Sequence, residues 1–249
     1  MSLLDPAKPT QFISLATRAL PWLGGTTAVT FAVGLVWAFT APDDFQQGAT
    51  VQLMFLHVPS AWLITLIWGA MSLAAIVTLV WRHPLADVAA KTAAPIGAAF
   101  TFLCLVTGSL WGRPMLGTYW VWDARQTSVL VLFLMYLGLI ALYWTEEYLA
   151  RVARLAAILI LAGAAVLPVI RFSVLWWNTL HQPGTLGRIV APAIHSSILT
   201  PLLLMALAFI FLFMTLHVAA MRNEIMRQRV RTLQLKHVAH GETVDLAAQ

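Results

Sequence analysis

Charged residues are scarce in this chain of 249 residues, where they make up only 10%. A soluble domain is typically about 25% charged, so the chain has too few ionisable groups to cover a water-exposed surface. Segments of about ten residues with alternating apolar and polar side chains are also missing, which argues against an outer-membrane β-barrel. Because 60% of the residues are hydrophobic, we expect an all-α membrane protein.

Several motifs of catalysis and transport are missing as well. The single cysteine, Cys104, excludes a disulfide framework, a CxxC redox pair and a CxxCH attachment site, and we interpret it as a small packing residue. No GxxxxGK[ST] motif occurs, so the chain has no P-loop for ATP. The centres of the apolar stretches have no acidic or basic residue, unlike those of ion-driven transporters. We therefore expect no enzyme activity in this chain and assign any ATPase activity to a partner subunit.

Six apolar stretches lack Asp, Glu, Lys and Arg, and each approaches the length of about 20 residues that a bilayer requires. They lie near 21–40, 58–80, 93–110, 128–144, 155–170 and 198–220. This pattern predicts a six-transmembrane-helix bundle that forms a single domain over 1–249. The second stretch begins earlier, at Gly48. We interpret 48–56 as an interfacial segment and expect Pro59 to open the span, because a proline costs little in the first turn of a helix.

Basic residues predict the orientation of the bundle. All but four of the 15 Lys and Arg residues fall in 1–20, 81–92, 145–154 and 221–249. The other four are Arg113, Arg125, Arg171 and Arg188. By the positive-inside rule both termini are cytoplasmic, and the outer loops are 41–57, 111–127 and 171–197. The basic tail 221–249 continues the sixth span as a helix, and we interpret it as a cytoplasmic segment against anionic lipid.

The second outer loop, 111–127, is rich in tryptophan. Its candidate binding residues are Trp111, Trp120, Trp122, Asp123 and Arg125. Tryptophans of an interfacial belt usually stand singly at span ends, whereas here they accompany charged residues, two glycines and a proline. If 120–122 is extended, Trp120 and Trp122 point the same way. The loop therefore predicts a platform for a flat apolar ligand, with Arg125 available to a carboxylate and Asp123 orienting Arg125 or a backbone turn.

The other two outer loops each contain a histidine that is a candidate metal ligand. They are His57 and His181. Two imidazoles on opposite sides of a planar metal macrocycle are a familiar way to bind iron, so we predict that these histidines are axial ligands. His195, at the outer start of the sixth span, is a reserve ligand. Met54 and Met115 are alternative axial ligands, although methionine more often serves in packing.

Three segments carry a resemblance to a known family. The string WGRPMLGTYWVWDARQTS resembles the tryptophan-rich WWD signature of heme-handling proteins, and FLHVPSAW and WWNTLHQPGT are similar to the cytochrome c maturation protein C (CcmC) family. The resemblance implies a multi-pass protein of the bacterial inner membrane that presents heme b at its periplasmic face during c-type cytochrome biogenesis. It also implies that His57 and His181 bind the heme iron and that the Trp-rich loop, then periplasmic, contacts heme and a chaperone.

The same resemblance implies partners. A periplasmic heme chaperone, CcmE, receives the heme, and an ATPase (CcmA) and two membrane subunits (CcmB and CcmD) form an ABC transporter complex with the chain. This fits a chain that has no nucleotide motif of its own. Although the net charge is +5, basic residues in a membrane protein first report topology, and we expect no nucleic-acid partner.

Three other functions stay open. A b-type heme subunit for electron transfer to a quinone usually has its histidine pairs within the spans. A permease subunit of an ABC exporter for heme or another small molecule needs a cytoplasmic coupling element, and only the short inner loops 81–92 and 145–154 are available here. The larger cytochrome c synthetases share the WWD signature, but this chain is short for one of them.

Overall fold

The structure is a computed structural model that describes residues 9–44, 47–145, 149–177 and 194–247. These residues form seven α-helices and a short 3-10 helix, Ala49–Leu53. The α-helices are α1 (Pro9–Phe39), α2 (Met54–Trp81), α3 (Pro84–Leu116), α4 (Ala124–Trp144), α5 (Leu149–Ala164), α6 (Val166–Trp176) and α7 (Ser196–Ala247).

Six segments of the described chain are long and apolar enough to cross a membrane. Five of them contain one α-helix each, and the remaining one, Arg151–Trp176, runs through α5 and α6. No β-strand occurs within the described ranges, where the only bridge is an isolated pair, Asp44 with Gly48. The prediction of an all-α protein with six spans is confirmed.

The break between α5 and α6 has a local cause. Pro168 lies in the first turn of α6 and has no N–H for the carbonyl of Ala164, the residue at which α5 ends. Proline is tolerated in a first turn because the N–H groups there have no partner within the helix. One apolar stretch therefore forms two helices.

The start of the second span differs from the sequence prediction. We expected Pro59 to open the helix, but α2 begins at Met54 and includes Pro59 in its second turn. Proline removes only one backbone hydrogen bond there, and membrane helices tolerate this loss where neighbouring side chains bond to the backbone. The carbonyl that Pro59 frees is that of Phe55, and the adjacent Leu56 carbonyl accepts an additional hydrogen bond from Ser60 Oγ at 2.7 Å. This longer α2 brings His57 into its first turn.

The core lies around the middle of α2. Trp68 is fully buried, donates from Nε1 to the Ile160 carbonyl of α5 at 2.9 Å, and meets the Tyr136 ring of α4 edge-on with centroids 4.6 Å apart. A Cβ atom at Gly97 would collide with Tyr136, and one at Gly163 would collide with Trp68. Small residues therefore let α3 and α5 approach these two rings closely, as is usual between membrane helices.

Helix α1 packs mainly on α7. The Thr27 and Thr215 hydroxyls are 2.9 Å apart, and Gly34 faces Met205 further along. The two helices are therefore antiparallel. Neighbouring helices alternate in direction, so the ends of α1, α3 and α6 lie at the same end of the bundle as the starts of α2, α4 and α7. We call this the His57 end.

Candidate functional site

His57 lies in the first turn of α2 and is held by the facing helix α3. Its Nδ1 atom is 3.1 Å from the carbonyl oxygen of Cys104 and 3.2 Å from the Thr107 hydroxyl oxygen. The Cys104 thiol sulfur is 3.8 Å from the same nitrogen. Cys104 is buried, as its interpretation as a packing residue predicts. Its contribution to the site comes from the backbone carbonyl rather than from the thiol, and a residue type by itself does not predict such a contact.

These contacts determine which nitrogen of His57 carries the proton. A carbonyl oxygen only accepts hydrogen bonds, so Nδ1 must donate to Cys104. The Thr107 hydroxyl donates to the Leu103 carbonyl at 2.7 Å, and its oxygen is then an acceptor for His57 as well. With the proton on Nδ1, the lone pair of a neutral imidazole is on Nε2. This arrangement is usual for a histidine that binds a metal, where the second ring nitrogen donates to a carbonyl or carboxylate.

The His57 ring also contacts the first tryptophan of the Trp-rich segment. The ring centroids of His57 and Trp111 are 5.7 Å apart in an edge-to-face arrangement. The Trp111 indole donates from Nε1 to the Gln47 side-chain oxygen at 3.2 Å. Gln47 belongs to the connection between α1 and the 3-10 helix, so three parts of the chain fix this indole and imidazole together.

Sequence spacing on α3 contains a signal for this contact. Cys104, Thr107, Gly108 and Trp111 follow each other at i, i+3, i+4 and i+7, the spacing of one helix face. Gly108 supplies the space for the imidazole, because a Cβ there would lie only 2.8 Å from the His57 Cε1 atom. Only Trp111 of this face belongs to the predicted loop 111–127, so the face runs from the predicted span into a segment that we expect to be non-helical.

Much of this predicted loop is helical. Helix α3 continues to Leu116 and α4 starts at Ala124, so only 117–123 is non-helical. Gly117 ends α3 in the left-handed conformation (φ 76°), which glycine adopts at low cost. Gly117 N–H donates to the Arg113 carbonyl at 3.0 Å, and the Arg113 guanidinium donates to the Gly117 carbonyl at 2.9 Å. The backbone therefore turns sharply at Gly117, whereas Pro114 lies within the helix.

Trp120 and Trp122 form a pair in the connection 117–123. Their ring centroids are 5.3 Å apart at an interplanar angle of 76°, as expected if an extended segment directs both to one side. Trp122 is 75% exposed, whereas Trp120 is half-buried. An exposed indole next to an edge-on neighbour is a large apolar surface that a flat ligand can contact.

Asp123 caps α4. It is buried, and its carboxylate accepts a hydrogen bond from the Gln126 backbone N–H at 2.7 Å. This is the usual role of aspartate at a helix N-terminus, so Asp123 orients a backbone turn. Its negative charge also acts on Arg125, as the sequence predicts. The cap holds the first turn of α4, which carries Arg125.

Two buried donors of this region have no hydrogen-bond acceptor among the described residues. They are the indole Nε1 of Trp120 and the guanidinium Nε of Arg125. The Arg125 guanidinium is next to the negative charge of Asp123, and the exposed Arg171 of α6 is close enough to act on it with a weaker, repulsive charge. Unpaired buried donors are costly, and a concentration of cationic and N–H groups favours an anionic acceptor such as a carboxylate.

The other residues predicted to bind the iron or a carboxylate differ in where they lie and how exposed they are. His181 and Arg188 lie outside the described residues. His195 is exposed before the first turn of α7, where its Nδ1 accepts from the Ser197 backbone N–H at 3.3 Å. Met54 is buried in the core, and Met115 is 40% exposed in the last turn of α3. Within the described ranges no three His, Cys, Asp or Glu side chains gather to hold a bare metal ion.

An apolar groove opens beside the turn that carries His57. It has a volume of about 400 Å³ and lies between the end of α1, the 3-10 helix, α2 and α7. Leu53 and Leu56, which directly precede His57, line it together with Phe39 and Met205. The His57 end therefore combines a polar imidazole, exposed indoles, cationic groups and apolar surface.

Comparison with known proteins extends this description. The family model described as heme exporter protein C matches residues 2–236. A heme exporter protein C from Bradyrhizobium diazoefficiens is 63% identical over 235 residues, covering 94% of this chain and 89% of the relative. One from Escherichia coli is 43% identical over 227 residues, covering 90% and 91%. A ccmC-like mitochondrial protein of Marchantia polymorpha, whose name refers to cytochrome c biosynthesis, is 45% identical over 190 residues, covering 72% and 80%.

Proposed function

The chain belongs to the heme exporter protein C family, and from this premise we propose that it handles heme in cytochrome c maturation. It binds heme b at the His57 end of its bundle and delivers it to the heme chaperone CcmE. The His57 end faces the periplasm and both termini face the cytoplasm, since the basic residues are concentrated in the opposite connections and the tail. The protein is then a multi-pass protein of the bacterial inner membrane.

The observation that carries the proposal is the orientation of His57. A donor bond from Nδ1 to the Cys104 carbonyl leaves the lone pair on Nε2, and imidazole is a common axial ligand of heme iron. His57 would bind the iron through Nε2, and His181 is proposed as the second axial ligand. A helix turn, a carbonyl and a hydroxyl therefore prepare one ligand before heme arrives.

The surrounding residues fit the remainder of the heme. The indoles of Trp111, Trp120 and Trp122 supply apolar surface for the macrocycle. The propionate carboxylates match the unpaired donors of Arg125 and Trp120, because a guanidinium group binds carboxylates through parallel N–H groups. Arg171 adds positive charge near Arg125. In this proposal Asp123 acts by holding the turn before Arg125.

The proposed activity is binding and transfer rather than catalysis. Delivery to CcmE requires His57 or His181 to release the iron. The two histidines must therefore bind heme strongly enough to hold it and weakly enough to let it pass to the chaperone. Any ATP hydrolysis belongs to CcmA, which together with CcmB and CcmD is a proposed partner. The chain itself has no P-loop motif.

Absorption spectra of the purified protein test the ligands. We expect a bis-histidine heme spectrum in the wild type, and a loss of heme or an altered spectrum in both His57→Ala and His181→Ala. His237→Ala is the matched control, because this exposed histidine lies on the α7 extension at the opposite end. Covalent loading of CcmE, measured in the same variants, should decrease with heme occupancy.

The outcomes separate the candidate functions. If both histidine variants keep wild-type spectra and wild-type chaperone loading, the ligand assignment is wrong. A protein that is free of heme and takes up no added heme would favour the permease function, which ATP-dependent transport in vesicles would then test. Reversible heme reduction coupled to quinol would favour the electron-transfer function.

A further inference from the structure

The end of the bundle opposite His57 carries a helical extension with two different faces. We define it as residues 221–237 of α7, which includes five of the chain's basic residues. Three large apolar side chains are exposed along it: Met226 (46%), Val230 (52%) and Leu233 (65%). At 100° per residue, they fall within an arc of about 60° and form one stripe. We call this the outward stripe.

A row of basic residues runs beside the outward stripe. Arg222, Arg229 and Lys236 follow each other at intervals of seven residues, so they lie on nearly the same side of the helix. Met226 and Leu233 are also seven residues apart. Apolar positions that repeat every seven residues next to a line of one charge sign are typical of a helix that pairs with another helix.

The opposite face of the extension is already occupied. Met221 and Ile225 are buried in a small cluster with Val88 of α3. Glu224 accepts a hydrogen bond from the Lys91 ammonium of α3 at 2.8 Å, and both side chains are largely buried. Gln228 donates to Glu224 at 3.0 Å. These contacts fix the rotation of α7, so the outward stripe points away from the rest of the chain.

The length of α7 carries the outward stripe to the far edge of a bilayer. At 1.5 Å per residue, Met226 lies about 45 Å from Ser196 and Leu233 about 55 Å. A bilayer is about 30 Å thick in its hydrocarbon core and about 40–45 Å with its headgroups. With Ser196 at the outer boundary, the stripe lies at the inner headgroups and beyond them. A contiguous exposed apolar stripe there is typical of an interaction surface.

A second copy of the chain is a poor cover for the stripe. Two copies in one membrane have parallel α7 helices, so Arg229 of each copy would lie at the same height as Arg229 of the other. Like charges at matched positions disfavour such pairing. Anionic lipid, which we expect from the sequence to meet the basic tail, is a poor cover too, because α7 is one continuous helix and its extension follows the direction of the span instead of lying along the membrane surface. A partner protein with carboxylates beside its apolar residues has the complementary charge.

We propose that the outward stripe and its basic row bind an amphipathic helix of a partner protein whose apolar side chains are flanked by Asp and Glu. The buried Glu224–Lys91 contact positions this docking surface by fixing the rotation of α7. The partner lies on the side that the basic residues predict to be cytoplasmic. This inference is independent of the heme site at the other end of the bundle.

Photocrosslinking of the full chain in native membranes tests the proposal. The photoreactive amino acid p-benzoylphenylalanine replaces Val230 in one variant and Thr232, an exposed residue outside the stripe, in the control. We expect an adduct with one protein from Val230 and none from Thr232. Mass spectrometry of the crosslinked peptide should identify a segment with apolar residues at helical spacing flanked by carboxylates.

Charge reversal tests the basic row. Arg222→Glu combined with Arg229→Glu should reduce the adduct at least about tenfold, because like charges across an interface are strongly unfavourable. Reversal of the facing carboxylates of the partner to Lys should restore it. The control is Arg151→Glu with Arg154→Glu, which changes the net charge equally on α5 at the same end of the bundle and should leave the adduct unchanged.

Four outcomes would overturn the proposal. They are an adduct with lipid, an adduct with a second copy of the chain, equal adducts from Val230 and Thr232, and the absence of any adduct from the stripe. An adduct that survives the reversal of Arg222 and Arg229 would overturn the proposed acidic chemistry of the partner. The heme spectrum should stay unchanged in all these variants, so this test can fail without affecting the proposed function.

Discussion

The Nδ1 atom of His57 lies 3.1 Å from the backbone carbonyl oxygen of Cys104. The two residues belong to different membrane helices, and the contact requires that Nδ1 carries a proton. A backbone carbonyl is not removed by changing a side chain, so every variant of Cys104 that keeps the backbone in place also keeps this hydrogen bond. The second hydrogen bond of Nδ1, to the Thr107 hydroxyl, can be removed by a substitution and tested directly.

Replacing Thr107 with valine should weaken heme binding about tenfold. Losing a group that orients a metal-binding histidine typically costs at least this much, and we expect no larger loss because the Cys104 carbonyl still holds His57. A valine methyl cannot accept a hydrogen bond from His57 Nδ1, which lies 3.2 Å from the Thr107 hydroxyl oxygen. Heme titration of the purified variant measures the effect. Thr101→Val is the control, because its buried hydroxyl donates to the Gly97 carbonyl of the same helix at 2.7 Å. Thr107→Ser should restore affinity, and equal effects of the two valine variants would mean that Thr107 acts only in folding.

Gly108→Ala should displace the His57 ring. The new Cβ would lie 2.8 Å from Cε1, closer than atoms pack, so the imidazole must turn and its bond to heme iron must change. We expect an altered heme spectrum and a cost in stability of about 1–3 kcal/mol. Gly138→Ala is the control, since no atom lies within 4 Å of its Cβ position. A wild-type spectrum in Gly108→Ala would contradict the role of this contact.

Two substitutions of Asp123 distinguish its hydrogen bond at the start of α4 from the effect of its negative charge. Asp123→Ala should lower stability by about 1 kcal/mol, because the Gln126 backbone N–H loses its acceptor. Asp123→Asn keeps an oxygen at the cap, so this variant should unfold at the wild-type temperature. Thermal unfolding in detergent measures both variants. We expect wild-type heme occupancy in Asp123→Asn as well. If occupancy falls while stability is kept, the carboxylate charge itself takes part in binding.

Glu224→Ala should destabilise the protein by about 3 kcal/mol, the low end for a broken buried ion pair, since the largely buried Lys91 ammonium loses its hydrogen-bond partner but keeps the charge of Asp87 nearby. Arg227→Ala removes another partner of Glu224, but the Arg227 side chain is 61% exposed. It should cost less than about 1 kcal/mol, as exposed ion pairs contribute little. Thermal unfolding of both variants checks the difference. Similar losses would mean that burial does not distinguish these two contacts.

The Trp-rich segment shows which features a sequence pattern predicts correctly and which it does not. Its composition indicated a binding region, and the pairing of Trp120 with Trp122 follows from their spacing and an extended backbone. Its glycines and proline suggested one long loop, yet the structure continues α3 through Gly112 and Pro114 to Leu116. Local propensity was a poor guide there, because membrane helices tolerate glycine and proline where neighbouring groups bond to the freed backbone.

Hydropathy sufficed for the six spans, since a bilayer admits only helices of about 20 apolar residues. Sequence patterns also sufficed for the family, and they predict the candidate residues of the Trp-rich segment and His57. The spacing on α3 marks a helix face, but tertiary packing decides that His57 is what this face contacts. Lipid and core are both apolar, so the packed face of a membrane helix hardly differs in polarity from its lipid-facing side. Only the packing of α2 against α3 brings Cys104 and Thr107, some fifty residues away in sequence, to one nitrogen of His57.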